Sequence, residues 1–271
     1  MNKRELSIDE KRAVFLEGMK EFTSFCDRHN LKYYLIYGTL LGAVRHQGFI
    51  PWDDDVDLCM PREDYDKLIN DYSVEILSDN WQLMHADINP KYKTYWAKFC
   101  NRKTIVTPSR FINGFLYGLS IDIFPLDSVS MTESKDVFSK EFIRISDCYQ
   151  RRFGIYYANR KSCSIPKLLV KKVLYALATI RFGKYYKHIV SLSEVFRKTD
   201  ISKSHWLCIF GEKPVFKSGW FRNTKNLSFE GQTFKVPAEY DSVLREQYGD
   251  YMEFPPIEKR VGQHSYKAYW I

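Results

Sequence analysis

The chain has 271 residues, 45% hydrophobic and 27% charged, a balance that excludes general disorder and allows a full buried core. Its net charge of +8 at pH 7 favours anionic partners such as nucleotides, phosphates or an anionic membrane face, and selects none of them alone. Six cysteines without a C-x-x-C pair, and no histidine at zinc spacing, argue against a disulfide framework or structural zinc and for reduced thiols in a cytoplasmic protein.

The first stretch, MNKRELSIDEKRAVF, lacks the apolar core of a signal peptide. The longest apolar run, VLYALATI from Val173, is far shorter than the ~20 residues that cross a bilayer. Ser7 and Glu10 form an S-x-x-E capping box, and Phe15, Met19, Phe22 and Cys26 follow at helical spacing, which predicts an amphipathic first helix. LKYYLIYG predicts a buried strand ending at Gly38; Thr39 can cap a short helix, LLGAVRHQ, that Gly48 ends. After a Pro51–Trp52 turn, DVDLCM predicts a second strand, and Pro61 suits the start of a helix over REDYDKLIND. WQLMHADI and TYWAKFC are further strand candidates, and LYGLSIDIFPLDSV is a strong one carrying Asp122 between Ile121 and Ile123. Helical patterns then run over about 133–157, 165–180 and 185–198, before mixed structure in HWLCIFG, LSFEGQTFKV and a helix begun by Pro237.

Four aspartates fall within Asp53 to Asp57, where like charges repel. A solvated acidic turn accounts for Asp53 and Asp54. Asp55 and Asp57 differ, because Val56 and Leu58 interleave with them. On a strand, such a D-x-D places two carboxylates on one face about 7 Å apart, within reach of one or two divalent cations. Oxygen-only ligands suit Mg²⁺ or Mn²⁺, which commonly hold substrate phosphates as well. Asp122 in its apolar strand is costly unless it meets a metal or a partner, and beside the D-x-D strand it would complete a trio. Leu58 stands where an EF-hand loop needs glycine. Upstream, the Gly38–Thr39 strand-to-helix junction could cradle a phosphate on free backbone N–H groups.

That order of strand, Gly-Thr, short helix, D-x-D strand and later Asp strand resembles the nucleotidyltransferase superfamily. YGTLLGAVRHQGFIPWDDDVDLCMPREDYDKL narrows it: with YWAKFCNRKT, LSIDIFPLDSV and YDSVLREQYGDYMEFPP, it closely resembles the LicD family of phosphotransferases, related to fukutin-type proteins. The positions that carry the resemblance include Gly38, Thr39, Arg45, His46, Trp52, Asp53 to Asp55, Asp57, Asp122 and Asp127. The resemblance implies an α/β (α+β) fold, a nucleotidyltransferase-like mixed sheet with flanking helices plus a mostly helical C-terminal portion. We expect a catalytic core over 1–130 and a portion over 131–271 that completes the substrate site.

The implied activity is metal-dependent transfer of a phospho-alcohol, typically phosphocholine from CDP-choline with release of CMP. The acceptor would be a sugar hydroxyl of a cell-surface glycan, such as lipopolysaccharide or a teichoic-acid-type precursor. Fukutin-like relatives use CDP-ribitol, so membership leaves the alcohol open. Asp55, Asp57 and Asp122 are the expected catalytic and metal-holding residues, with Mg²⁺ (or Mn²⁺) set against the donor diphosphate. Asp122 is either the proton acceptor or purely a metal ligand. Expected substrate-binding residues are Gly38, Thr39, Arg45, His46, Trp52, Asp53 and Lys98. Arg45 and Lys98 could stabilise phosphate charge, His46 could hold the loop or touch phosphate, and Trp52 could pack beside Pro51 or line the donor pocket. A quaternary ammonium favours aromatic faces, but nineteen Tyr, nineteen Phe and six Trp are too many to name a cage.

The basic stretch SIPKLLVKKVLYALATIRFGKYYKH could rest on the inner face of an anionic membrane, where lipid-linked acceptors occur, or pack as a core helix with snorkelling lysines. Rival functions are a D-x-D glycosyltransferase, a nucleotidyltransferase moving NMP from NTP, and a non-catalytic binding or scaffold protein. No nucleic-acid partner is expected, since no concentrated basic and aromatic motif is present.

Overall fold

A computed structural model describes residues 4–85, 87–89, 92, 96–108, 117–129, 206–209, 215–262 and 266–271, with three isolated helical positions at 166, 170 and 173. The helices expected over 133–157, 165–180 and 185–198, and the basic stretch with them, otherwise lie outside the described residues.

Helix α1 spans Ile8–Arg28. The capping box forms as expected: Ser7 Oγ accepts from the Glu10 N–H at 3.2 Å and Glu10 Oε2 from the Ser7 N–H at 2.9 Å. Phe15, Met19, Phe22 and Cys26 are its buried face. It lies so close to Trp81 that a Cβ on Gly18 would sit 2.3 Å from the indole.

Strand β1 is only Tyr34–Leu35, and α2 begins at Tyr37 and runs to Arg45. The strand therefore stops short of Gly38, because Tyr37 turns into the left-handed region at φ 51° and the chain enters the helix there. Ile36 is the N-cap, without a side-chain cap bond, and Thr39 is the third helical residue rather than the cap. The Thr39 hydroxyl instead accepts from the Asp57 backbone N–H at 2.9 Å.

Strand β2 covers Asp57–Pro61 and α3 covers Arg62–Asn70, followed by β3 (Trp81–Met84), β4 (Ala97–Asn101), β5 (Thr104–Pro108) and β6 (Ser120–Val129). Asp57 opens β2, so Asp55 stands outside the strand in the segment that follows the Pro51–Trp52 turn. The D-x-D is thus half strand and half loop: β1, the partner of β2, reaches only from Tyr34 opposite Cys59 to Leu35 opposite Leu58.

The later residues supply β7 (Trp206–Ile209), β8 (Val215–Lys217), β9 (Thr224–Phe229), β10 (Gln232–Pro237), α4 (Tyr240–Tyr248) and β11 (Tyr266–Trp270). Among the described residues the main sheet has seven strands, ordered β1-β2-β6-β4-β3, with β7 and β8 continuing beside the far half of β6. β2 and β6 run parallel and the other pairs antiparallel, so the fold is α/β with a mixed sheet. β9–β10 and β5–β11 form separate two-stranded ladders. One core joins both halves of the chain, with Phe22, Ile121 and Ile123 sharing it with Phe216, Phe234 and Leu244.

On β6, Asp127 is buried against α3, where Arg62 Nε and Nη2 donate to its two oxygens at 2.6 and 2.9 Å. Among the described residues no helix is long and apolar enough to cross a membrane.

Candidate active site

β6 lies between β2 and β4, and register sets one row of charge across the three strands. Asp57 on β2 faces Asp122 on β6, and Asp122 faces Lys98 on β4. The Asp122 carboxylate is held from two sides: Oδ1 accepts from Lys98 Nζ, and Oδ2 from the Trp96 indole N–H at 2.8 Å. Burial works against a charged Lys98, yet Asp122 outweighs it and holds the ammonium above its ordinary range. For Asp57 the balance goes the other way. Lost hydration first, then Asp55, Asp122 and Asp53, push its carboxyl well above the usual range, and Lys98 only partly opposes them.

Ahead of β2 stands the acidic segment. Asp53, Asp54 and Asp55 each bring a carboxylate oxygen to within 4.8 Å of the others. Burial, with the charge of Asp55 and a hydrogen bond to it, pushes Asp53 up to about 7. Asp53 lies against the first turn of α2, its Oδ2 only 2.3 Å from where a Cβ on Gly38 would be. The helix opening that the sequence offers to a phosphate is thus shared with a carboxylate. From the far end of the chain, the Tyr266 hydroxyl donates to the Asp54 backbone carbonyl.

Carboxylates packed this closely repel unless a proton or a cation intervenes, and oxygen donors alone suit a hard divalent ion. The residues present therefore fit Mg²⁺ or Mn²⁺. The tight group is Asp53–Asp55, including two residues first assigned to a solvated turn. Of the expected trio, Asp55 joins that group, Asp57 couples electrostatically to it, and Asp122 sits across from Asp57 with Lys98 and Trp96 on its oxygens. A small cavity of ≈ 100 Å³ opens between the two acidic groups, lined by Asp54, Asp55, Lys98, Asp122, Tyr117 and Tyr266 among others.

Arg45, His46 and Trp52 gather beside the acidic segment, where Tyr248 feels the charges of Asp57, Asp53 and Asp55 as well as that of Arg45. Arg45 Nη1 donates to the Tyr251 and Glu253 carbonyls at 2.8 and 3.3 Å, and its guanidinium lies 4.5 Å from the Phe254 ring centre. His46 meets Trp52 and Phe254 edge-on, with both ring nitrogens buried and unbonded; burial and then Arg45 lower its pKa. Arg260 covers Trp52 at 5.6 Å. These residues fasten the turn after α2 to the segment beyond α4. The sequence reading missed Trp96, although its spacing from Lys98 in YWAKF, two residues along an extended chain, puts both on one face. Tyr266 carried no local signal at all, since its partner is 212 residues away.

Comparison with known proteins adds two findings. Residues 30–152 match the LicD/FKTN/FKRP nucleotidyltransferase domain. Across 98% of its length the chain is 28% identical to the lipopolysaccharide cholinephosphotransferase LicD of Haemophilus influenzae, of which it covers 99%. Shorter matches of 58 residues reach 50% and 48% identity with uncharacterised proteins of Rickettsia typhi and Rickettsia prowazekii, covering 21% of this chain and 19% and 22% of theirs.

Proposed function

We propose that the chain is a LicD-family transferase that moves phosphocholine from CDP-choline to a sugar hydroxyl of a cell-surface glycan, releasing CMP. The observation that carries this reading is the row Asp57–Asp122–Lys98 set beside the Asp53–Asp55 segment. Two acidic groups and a half-buried ammonium face one another there, the charge pattern that a cation and a diphosphate together would neutralise. A lipopolysaccharide-type acceptor follows the H. influenzae relative; a teichoic-acid-type precursor meets the same site chemistry.

In this reading Asp53, Asp54, Asp55 and Asp57 hold Mg²⁺ or Mn²⁺, with Asp122 as the carboxylate across the row. The ion, when bound, neutralises the diphosphate and favours departure of CMP. Lys98 supplies positive charge to the phosphoryl oxygens from its fixed place on β4. Asp122, anchored by Lys98 and Trp96, turns its remaining lone pairs to the cation or to the attacking hydroxyl. The first turn of α2, at Gly38 and Thr39, supplies backbone N–H groups to a phosphate beside Asp53. A cytoplasmic site on the inner membrane face would bring the protein to lipid-linked acceptors; salt-sensitive flotation with anionic vesicles tests it.

The direct test incubates the protein with CDP-choline and Mg²⁺, with and without glycan acceptor, and follows CMP. Acceptor-dependent CMP release is the expected result. Pyrophosphate released from an NTP instead would establish a nucleotidyltransferase, and metal-dependent nucleotide binding without turnover would mark a binding protein.

A further inference from the structure

The row of charge has a neighbour on the same face of the sheet. Two residues further along β6 from Asp122 comes Phe124, and two residues before Lys98 comes Trp96. Their rings pack at 5.4 Å between centres, tilted by 36°. Tyr37, the first residue of α2, closes on Phe124 from the other side at 5.6 Å with its ring perpendicular, at 89°. All three rings are half-buried, so each keeps part of its surface toward solvent. The group is tied directly to the site, since the Trp96 indole N–H is the donor to Asp122 Oδ2.

Tyr37 occupies this position at a conformational cost. Its φ of 51° lies in the region that glycine or asparagine adopts far more readily than a bulky aromatic residue. Strain of this kind persists where the side chain is needed. The cavity beyond Asp122 mixes Lys98 with Asp54, Asp55 and Asp122, a lining that suits a phosphate together with its metal cation and leaves the alcohol's head group to another surface.

We propose that Tyr37, Phe124 and Trp96 form the site that recognises the quaternary ammonium of the donor's alcohol, and so determine which phospho-alcohol is carried. This rests on the phosphocholine-transfer reading above. Aromatic faces attract a trimethylammonium through their negative π surface, while its methyl groups gain apolar contact that a polyol such as ribitol would not. The position is consistent with the chemistry. The alcohol is esterified to the phosphate that is transferred, so its head must lie one short linker from the phosphorus, and these rings begin at the residue that holds Asp122.

Titration with phosphocholine and with its neutral carbon isostere, the phosphate of 3,3-dimethylbutanol, tests the site without requiring turnover. Wild type should prefer phosphocholine by about tenfold. Phe124→Leu and Tyr37→Asn should bring that ratio close to one, and Asn suits the left-handed backbone at position 37, which protects the test against misfolding. Trp96→Phe should keep most of the preference, because a ring remains, yet lower turnover through the lost bond to Asp122. A wild-type ratio near one, or an undiminished ratio in folded Tyr37→Asn, overturns the proposal. The two readings fail separately: a tenfold ratio with no CMP release from any CDP-alcohol keeps the ammonium site and sinks the transferase. CMP release with a ratio near one does the reverse.

Discussion

Strand β6 carries two aspartates five positions apart, and their surroundings are opposite. Asp127 is buried with a bidentate guanidinium from Arg62, which is held above its usual pKa because Asp127 outweighs the effect of burial. Its charge is matched inside the fold. Asp122 has Lys98 and Trp96 on its oxygens, but its neighbour across β2 is another carboxylate, and three more stand ahead of that strand. Arg62 also reaches Asp66 at 3.3 Å, and an acid held to such an internal partner serves the architecture. Where acids outnumber cations at a sheet face bordering a cavity, the missing charge must come from solution.

The largest expected difference between the two regions comes from Asp57→Asn. This nearly isosteric change should leave the fold intact by circular dichroism yet cut turnover by about 10³-fold or more, the scale of losing one group that stabilises transition-state charge. Wild-type-like turnover would refute the metal assignment. Asp127→Ala should act on stability instead. Leaving the buried Arg62 with only Asp66 as its acidic partner should cost up to about 3–5 kcal/mol in urea unfolding, with turnover per folded molecule nearly unchanged. If activity fell while stability held, the division between the two aspartates would be wrong.

Gly38→Ala gives a smaller effect at their boundary. The new methyl group must displace the Asp53 carboxylate, so cation affinity should weaken by about 10- to 100-fold, as when a supporting group around a metal is disturbed. Helix propensity itself favours alanine by up to about 1 kcal/mol, so a loss of binding in an equally stable protein would point to Asp53. The mildest test is pH. The Asp53 carboxyl rises from an ordinary 3.8 to about 7 in the folded protein. Its contribution to stability is therefore fully present below 3.8 and lost as pH rises through about 7. Melting temperature in EDTA should fall across that window, and Mg²⁺ at the upper end should restore it. A flat profile that ignores Mg²⁺ would contradict the electrostatic picture.

Much of this was legible in the sequence because it is local. The capping box at Ser7 and Glu10, the apolar face of α1, the helix after Pro61 and the Asp122 strand all formed as their spacing implied. Misreadings arose where tertiary contacts override local preference. An apolar run through Tyr37 reads as strand until the backbone turns left-handed, a choice no side chain announces. Asp55 alternates correctly with Asp57 but falls ahead of β2, which begins at Asp57. Glu230 also adopts positive φ, in the tight turn of the β9–β10 hairpin, where sequence preference would favour Asn or Gly. The site was legible as an inventory of acids, whereas their grouping depended on register: Asp122 meets Lys98 only because β4 and β6 pair antiparallel at that rung.

The placement of β11 couples distant parts of the chain to the acidic segment. Its residues pair with β5, the Ala268 carbonyl accepts from the Leu6 N–H, the Trp270 N–H reaches the Arg4 carbonyl, and Tyr266 steadies the backbone at Asp54. The backbone of the acidic segment is thus braced by a residue more than two hundred positions later, and local opening of β11 would loosen it. Substitutions that unpair β11 should therefore disturb the acidic segment as well as the ladder with β5.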